Sequence, residues 1–244
     1  RPLPVASNWY RAVDAPYFAL VLEVELIMQK PGAGTRAAQA DRTRTAILKA
    51  AVKVFSRQGY AGARTEQIAS QAQCNERMIY YYFGSKDELF VSVLEHIYAQ
   101  FNRAEARQRF DLTDPRQAIR DLVAFTWNYY LKHPEFITIL GTENLLQGAH
   151  ARKSSNLRAL SGTAVGMLEP IVKAGQQQGL FREDIDIRHV YLMIASLCYF
   201  YNSNLHTLSC FLDDALASPK EKQHWLEFIS DLVLRGLARA GEGA

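Results

Sequence analysis

Cysteine is scarce: the 244 residues hold three, Cys74, Cys198 and Cys210, an odd number without a CxxC pair. That excludes a disulfide framework and points to inert thiols in a reducing cytoplasm. Only Cys74, just before a short helix described below, sits where redox sensing would make sense. The six histidines show neither HxxxH nor HExxH spacing, so no metal site is expected. No glycine-rich loop could cradle a phosphate, no G-x-S-x-G elbow is present, and no nucleophile has an obvious neighbouring base. Neither a cofactor nor an enzymatic activity is therefore expected, although a triad dispersed along the chain would leave no such mark.

Long apolar runs are missing as well. Tyr17 to Met28 is about twelve residues and carries Glu23 and Glu25, too short and too charged to span a bilayer. No Lys/Arg-led leader with a small-residue cleavage site precedes it. No stretch alternates apolar and polar residues for long enough to be a strand, and no repeat of roughly 20 to 50 residues recurs. With 48% hydrophobic content, what remains is an all-α globular chain with room for a small head and a larger body.

The informative features concentrate in Thr65 to Lys86, TEQIASQAQCNERMIYYYFGSK. Thr65 can N-cap a first short helix that turns Ile68 and Ala69 inward, and Asn75 can cap a second running through Glu76, Arg77, Met78, Ile79 and Tyr80. Both are too short to stand alone. Asp41 to Gln58 supplies a platform, because Ile47, Ala51, Val54 and Phe55 recur at i, i+4, i+7 and i+8, and Gly59 is placed to stop it. Ser85-Lys86-Asp87-Glu88 is a capping box that opens a long helix with Leu89, Phe90, Val93, Leu94, Ile97, Tyr98 and Phe101 on one side. Two short helices on a platform make a helix-turn-helix.

Gln58-Gly59-Tyr60, Thr65 with Ile68-Ala69, the run Ile79 to Phe83 and Ser85-Lys86-Asp87-Glu88-Leu89 resemble the DNA-binding head of the tetracycline-repressor (TetR) family of bacterial regulators. The resemblance covers about fifty residues. It implies that Tyr80, Tyr81 and Lys86 touch phosphates, with Thr65 beside them, and that Asn75, Glu76, Arg77, Met78 and Ile79 face the major groove. Two positions depart from the family pattern: Gln73 stands where glycine is usual, and Glu76-Arg77-Met78 stand where small or hydroxylated residues are usual. Arg77 is the expected base reader, since a guanidinium can grip guanine O6 and N7 together. Charge supports a polyanion partner: Thr35 to Lys86 holds nine Lys/Arg against Asp41, Glu66 and Glu76, a net of six positive. The whole chain is +3, so the rest is three negative.

Residues 1–34 form an N-terminal extension. The segment before Met28 reads as upstream sequence without function, or else as a genuine arm packing on the head or its partner. After the head (35–86), a helical body (87–244) is expected to bind ligand and to dimerise. Its linking helix should run to about Arg109; Asp114 and Pro115 open the next, which Lys132-His133-Pro134 ends. Further helices are expected over Pro134 to about Gln147, Arg152 to Gln178, Val190 to Tyr201 and Ser218 to about Ala240. Trp127, Tyr130, Met167, Ile171, Tyr199 and Asn202 are candidate pocket residues, with Glu143 and Asn144 as its polar groups. The expected cavity is about 300–1,000 Å³, against plain core packing for each residue singly. Val190, Leu197, Trp225, Ile229, Val233 and Leu237 are candidates for a homodimer interface of two helices and their symmetry mates.

Together with the resemblance, the sequence implies a cytoplasmic, homodimeric, ligand-responsive transcriptional regulator, a repressor released from a palindromic operator by a small molecule, with no membrane partner. Release by a change in head spacing is implied by the resemblance. Two other classes share parts of the pattern. An all-α ligand carrier or enzyme would have no use for the basic head, and an architectural DNA-binding protein would show no operator preference.

Overall fold

The computed structural model describes residues 35–161, 166–212 and 214–239; the expectations for residues 1–34 fall outside them. The chain divides into two compact units, residues 1–45 and 46–244. The division falls inside the first helix. Among the described residues, no helix is long and apolar enough to cross a membrane.

The first helix, α1 (Thr35–Gly62), breaks at Gly59, whose φ of 67° and ψ of 179° leave the helical region. A left-handed φ costs glycine nothing, which is why it marks the stop. From Ala46 onward α1 buries Ile47, Ala51, Val54 and Phe55, the predicted stripe. Two seven-residue helices follow, α2 (Thr65–Gln71) and α3 (Arg77–Phe83). Ile68 from α2 and Ile79 from α3 are fully buried with Phe55 and Phe90. Each such burial contributes about 1.5–3 kcal/mol. Then comes α4 (Lys86–Ala106), capped by Ser85, whose Oγ accepts the Glu88 amide at 3.1 Å.

In the body, α5 (Pro115–Lys132) is the hub, capped by Asp114 with Pro115 at its first turn, as expected. It packs against α6 (Pro134–Leu145), α8 (Leu168–Gln177), α9 (Ile187–Phe211) and α10 (Pro219–Leu237). A 3-10 turn at Ala151–Lys153 and the short α7 (Ser155–Ser161) lie along α4. Of the single helix expected over Arg152 to Gln178, the described residues are helical over Ser155–Ser161 and Leu168–Gln177, with a turn at Met167 between Gly166 and α8. Pro170 gives the reason for that turn. In an unbroken helix its ring would meet the carbonyl of Gly166, whereas in the first turn of α8 its missing N–H is no loss. The linking helix stops at Ala106 rather than Arg109, and α9 is longer at both ends than expected.

The sidedness of α9 and α10 also differs from expectation. Val190, Ile229, Val233 and Leu237 are buried in the body's own core. Leu197 and Trp225 are half-buried; the Trp225 Nε1 donates to the Leu197 carbonyl at 3.4 Å, and its ring stacks on Tyr201 at 5.3 Å. Both sides of these helices are apolar, so the spacing alone does not say which side α5 takes. The face left to solvent carries Leu192, Phe200, Phe211, Phe228 and Leu232.

Gly175 on α8 is buried against Phe181: a Cβ there would lie 2.0 Å from the ring. Gly175→Ala is therefore expected to lower stability by about 1–3 kcal/mol through overpacking, read as a fall in the urea midpoint. An unchanged midpoint would mean that the ring moves aside freely.

Candidate nucleic-acid interface and effector cavity

The turn between α2 and α3 fixes which side chains α3 presents. Gln73 takes φ 54°, and beside it the Cys74 amide donates to the Ala69 carbonyl at 3.0 Å. A non-glycine residue held there costs roughly 1–2 kcal/mol. The sequence departure at Gln73 thus leaves the turn left-handed and strained rather than remodelled. Burial raises the Cys74 thiol pKa, which disfavours the thiolate needed for a redox role.

The Asn75 Oδ1 accepts the Arg77 amide at 2.9 Å, although the cap position of α3 is Glu76 rather than the expected Asn75. Thr65 is not the cap of α2 but its first residue, after Arg64. The Thr65 hydroxyl instead donates to Glu76 and lies 3.4 Å from the Tyr80 hydroxyl, tying the two helices together. Glu76 is thus engaged within the motif, and Met78 is half-buried against the core. Asn75, Arg77, Tyr80 and Tyr81 remain exposed, Tyr81 at 78%. The Lys86 ammonium stands 4.7 Å from the centroid of the Tyr60 ring, and burial lowers its pKa.

A clasp joins this head to the body. Asp87 accepts from the Tyr60 hydroxyl and, at 3.0 Å, from the Lys153 Nζ. These bonds hold its carboxyl below the ordinary range, while burial and then Asp87 push the Tyr60 hydroxyl up to about 12. The His150 ring packs on Tyr60 and Phe90 at 4.6 and 4.9 Å. His150 is placed by Glu143, a predicted pocket residue, whose carboxylate accepts the His150 and Ala151 amides at 2.7 and 2.8 Å and meets His150 Nδ1 at 2.9 Å. Glu143 therefore holds the 143–151 turn and has no oxygen aimed at a ligand. Its neighbour Asn144 is exposed.

The other predicted pocket residues interlock rather than enclose a large void. Trp127 meets Tyr201 edge-on at 5.3 Å, Ile171 is fully buried, and the Asn202 amide turns back to the Cys198 carbonyl at 2.8 Å. Tyr199 lies 6.4 Å from Tyr130, with its hydroxyl 3.4 Å from the Ile137 carbonyl, and Met167 precedes α8. A cavity does exist beside them, but of about 20 Å³, lined by Phe101, Glu105, Thr126, Tyr130, Tyr191 and Ile194 among others. Tyr130 alone was foreseen. Well-shaped rings pack to crystal-like density, and residue type does not reveal that.

Glu105 is the residue that sequence reasoning missed. It is 3% exposed, and its Oε2 has no hydrogen-bond partner. Burial pushes its pKa up to about 8. The signal was its position: Glu105 lies four residues beyond Phe101 and eight beyond Ile97, on the apolar stripe of α4. Thr126 lends it nothing, since its hydroxyl donates to the Leu122 carbonyl at 3.0 Å. A groove of about 580 Å³ lined by Lys49, Lys53, Arg57, His96 and Glu135 lies elsewhere on the surface.

The raised pKa has a definite sign for stability. Below pH 4.5 the Glu105 carboxyl is protonated in both the folded and the unfolded chain and contributes no pH dependence. From there to about 8 the unfolded chain releases a proton that the folded chain keeps, so stability falls as pH rises, and above about 8 the penalty is constant. Urea midpoints of the wild type relative to Glu105→Gln should therefore decline across that window. A constant difference would show the carboxyl ionised in the folded state throughout.

Family models match both parts of the chain. That of the bacterial regulatory proteins of the tetR family covers residues 47–93, and that of the tetracyclin repressor-like C-terminal domain covers residues 115–233. The HTH-type transcriptional repressor NicS of Pseudomonas putida is 69% identical over 212 residues, 87% of this chain and 100% of that one. Among solved structures, a transcriptional regulator of Streptomyces coelicolor, SCO4942, aligns at a TM-score of 0.60 with 22% identity, over 80% of this chain and 98% of that one. The Bacillus subtilis regulator FadR, in complex with stearoyl-CoA, aligns at 0.56 with 18% identity, over 80% and 99%. With both domain models in chain order and a relative of that identity along most of its length, the chain belongs to the TetR family of bacterial regulators.

Proposed function

We propose that the protein is a homodimeric repressor that leaves a palindromic operator when a small molecule parts the helices of its body. The observation that carries this reading is the mechanical continuity of α4. Its first turn holds Lys86 and Asp87 at the head, and its last turn carries Glu105 into the body's cavity. The 143–154 turn grips the same helix through Lys153 to Asp87 and through Ser154 to Glu95 at 2.6 Å. A displacement of the cavity walls is thereby passed to Tyr60 and the base of α3. Two heads must match a fixed groove spacing, so a small tilt of α4 is enough to break the match. The similarity to a protein named as a transcriptional repressor supports repression over activation.

On the DNA side, Arg77 reads a base, and Tyr80, Tyr81 and Lys86 meet phosphates. Arg77→Ala should cost about 1–3 kcal/mol on the operator and relax preference at one position, while Lys86→Ala should weaken all sequences alike and reduce the salt slope by about one. Fluorescence anisotropy on operator and random DNA checks both. Equal losses on the two DNAs for Arg77→Ala would remove it as the reader.

The dimer forms through the outer face of α9 and α10. Leu192, Phe200 and Phe211 of α9 and Phe228 and Leu232 of α10 are exposed, and the two helices pack on each other. Several large exposed apolar side chains on two packed helices are the kind of surface that a partner covers. Phe228→Glu with Leu232→Glu should give a folded monomer that no longer binds operator. Val233→Glu, at a position fully buried in the body's core, should instead unfold the chain. Sedimentation equilibrium with circular dichroism separates the two outcomes, and a double variant that stays dimeric would place the interface elsewhere.

A further inference from the structure

We infer that Glu105 is the effector-reading group of the body, its orphaned carboxyl oxygen pairing with the polar N–H/C=O edge of a small, flat, uncharged molecule. The inference rests on the ligand-release reading above and names the ligand class for it. The argument begins from the orphaned oxygen. A buried carboxyl oxygen without a partner costs free energy, and native structures keep few of them. Here the other cavity groups do not relieve it. The Thr126 hydroxyl is committed to the Leu122 carbonyl, and no bond from Tyr130 or Tyr191 reaches Oε2. A neutral carboxyl donates from one oxygen and accepts at the other, and Oε2 has neither kind of partner, so what is missing is a group that can offer both a donor and an acceptor.

The walls restrict what may carry that group. Phe101, Leu122, Tyr130, Leu168, Tyr191 and Ile194 present rings and branched aliphatic groups, which suit a flat apolar body. No Lys, Arg or His is among the lining residues, so a carboxylate or phosphate edge facing Glu105 would meet a carboxyl group and no cation. The cavity of about 20 Å³ holds roughly one water, so a ring enters only if α4, α5, α8 and α9 part. That movement is the one the release mechanism needs, and Glu105 stands on α4, the helix that must move.

The test uses the full-length dimer and four probes of similar size: 2-pyridone and benzamide, which offer an N–H, toluene, which offers none, and benzoate, which is anionic. Calorimetry gives the affinities, and anisotropy on operator DNA gives release. The expected result is that 2-pyridone and benzamide bind at least tenfold more tightly than toluene and benzoate. Glu105→Leu should abolish that preference, and Glu105→Gln, which keeps an acceptor oxygen, should restore most of it. Should toluene bind as well as 2-pyridone and release the operator, or should Glu105→Leu keep the preference, the reader assignment falls while the cavity keeps its role; a Glu105 that merely holds a resident water predicts this result. Should none of the probes bind or release, the ligand-release reading falls and takes the reader with it.

Discussion

A helix of seven residues closes too few backbone hydrogen bonds to persist in water, and both helices of the head have that length. Every other feature of the head follows from this shortage. Ile68 and Ile79 anchor α2 and α3 to a core made by α1 and α4, and the Thr65 hydroxyl ties α2 to Glu76 at the foot of α3. The two helices therefore have no independent geometry. Their exposed face, with Arg77, Tyr80 and Tyr81, points where α1 and α4 send it, and whatever tilts α4 tilts the reading surface.

This dependence gives weight to a cluster of polar contacts at one joint. The base of α4 is held by Tyr60 from the head and by Lys153 from the body, both on Asp87, and His150 fills the space between Tyr60 and Phe90. His150 is itself fixed by Glu143, which takes three hydrogen bonds from the turn that follows it. A charge-assisted network of this kind is stiff. It makes the head follow the 143–154 turn as a rigid attachment, so information from the body need not pass through the short helices.

The parts of this architecture that were legible in the sequence are those decided within one turn of chain. Ser85 and Asp114 cap the helices they were expected to cap, and Gly59 takes the left-handed conformation that its position implied. What was not legible depends on partners distant in sequence. Helix α10 is apolar on two sides, and only packing on α5 shows that Val233 faces inward and Leu232 outward. Glu143 looked like a pocket group because it interrupts an apolar helix, but its partners are seven and eight residues on, in a turn whose shape required Gln147 and Gly148 at positive φ. Cavity volume is the least legible of all, since it is the small remainder after large side chains have interlocked. Trp127 and Ile171 could have lined a void as easily as filled one.

Glu105 shows why that remainder matters. A leucine at the same place would continue the stripe of Ile97 and Phe101, satisfy the surrounding rings and leave no orphaned oxygen. Retaining a carboxyl there costs stability at neutral pH, because the folded chain must either hold a proton up to about pH 8 or bury a charge. Such a cost is tolerated where function needs it. A ligand that supplies the missing partner removes part of the penalty, and it does so only in the state that admits the ligand. On the proposed reading, the differential binding that a release mechanism requires would come from this unmet hydrogen bond. Because the unmet bond is on α4, relieving it acts directly on the helix whose other end sets the orientation of Arg77.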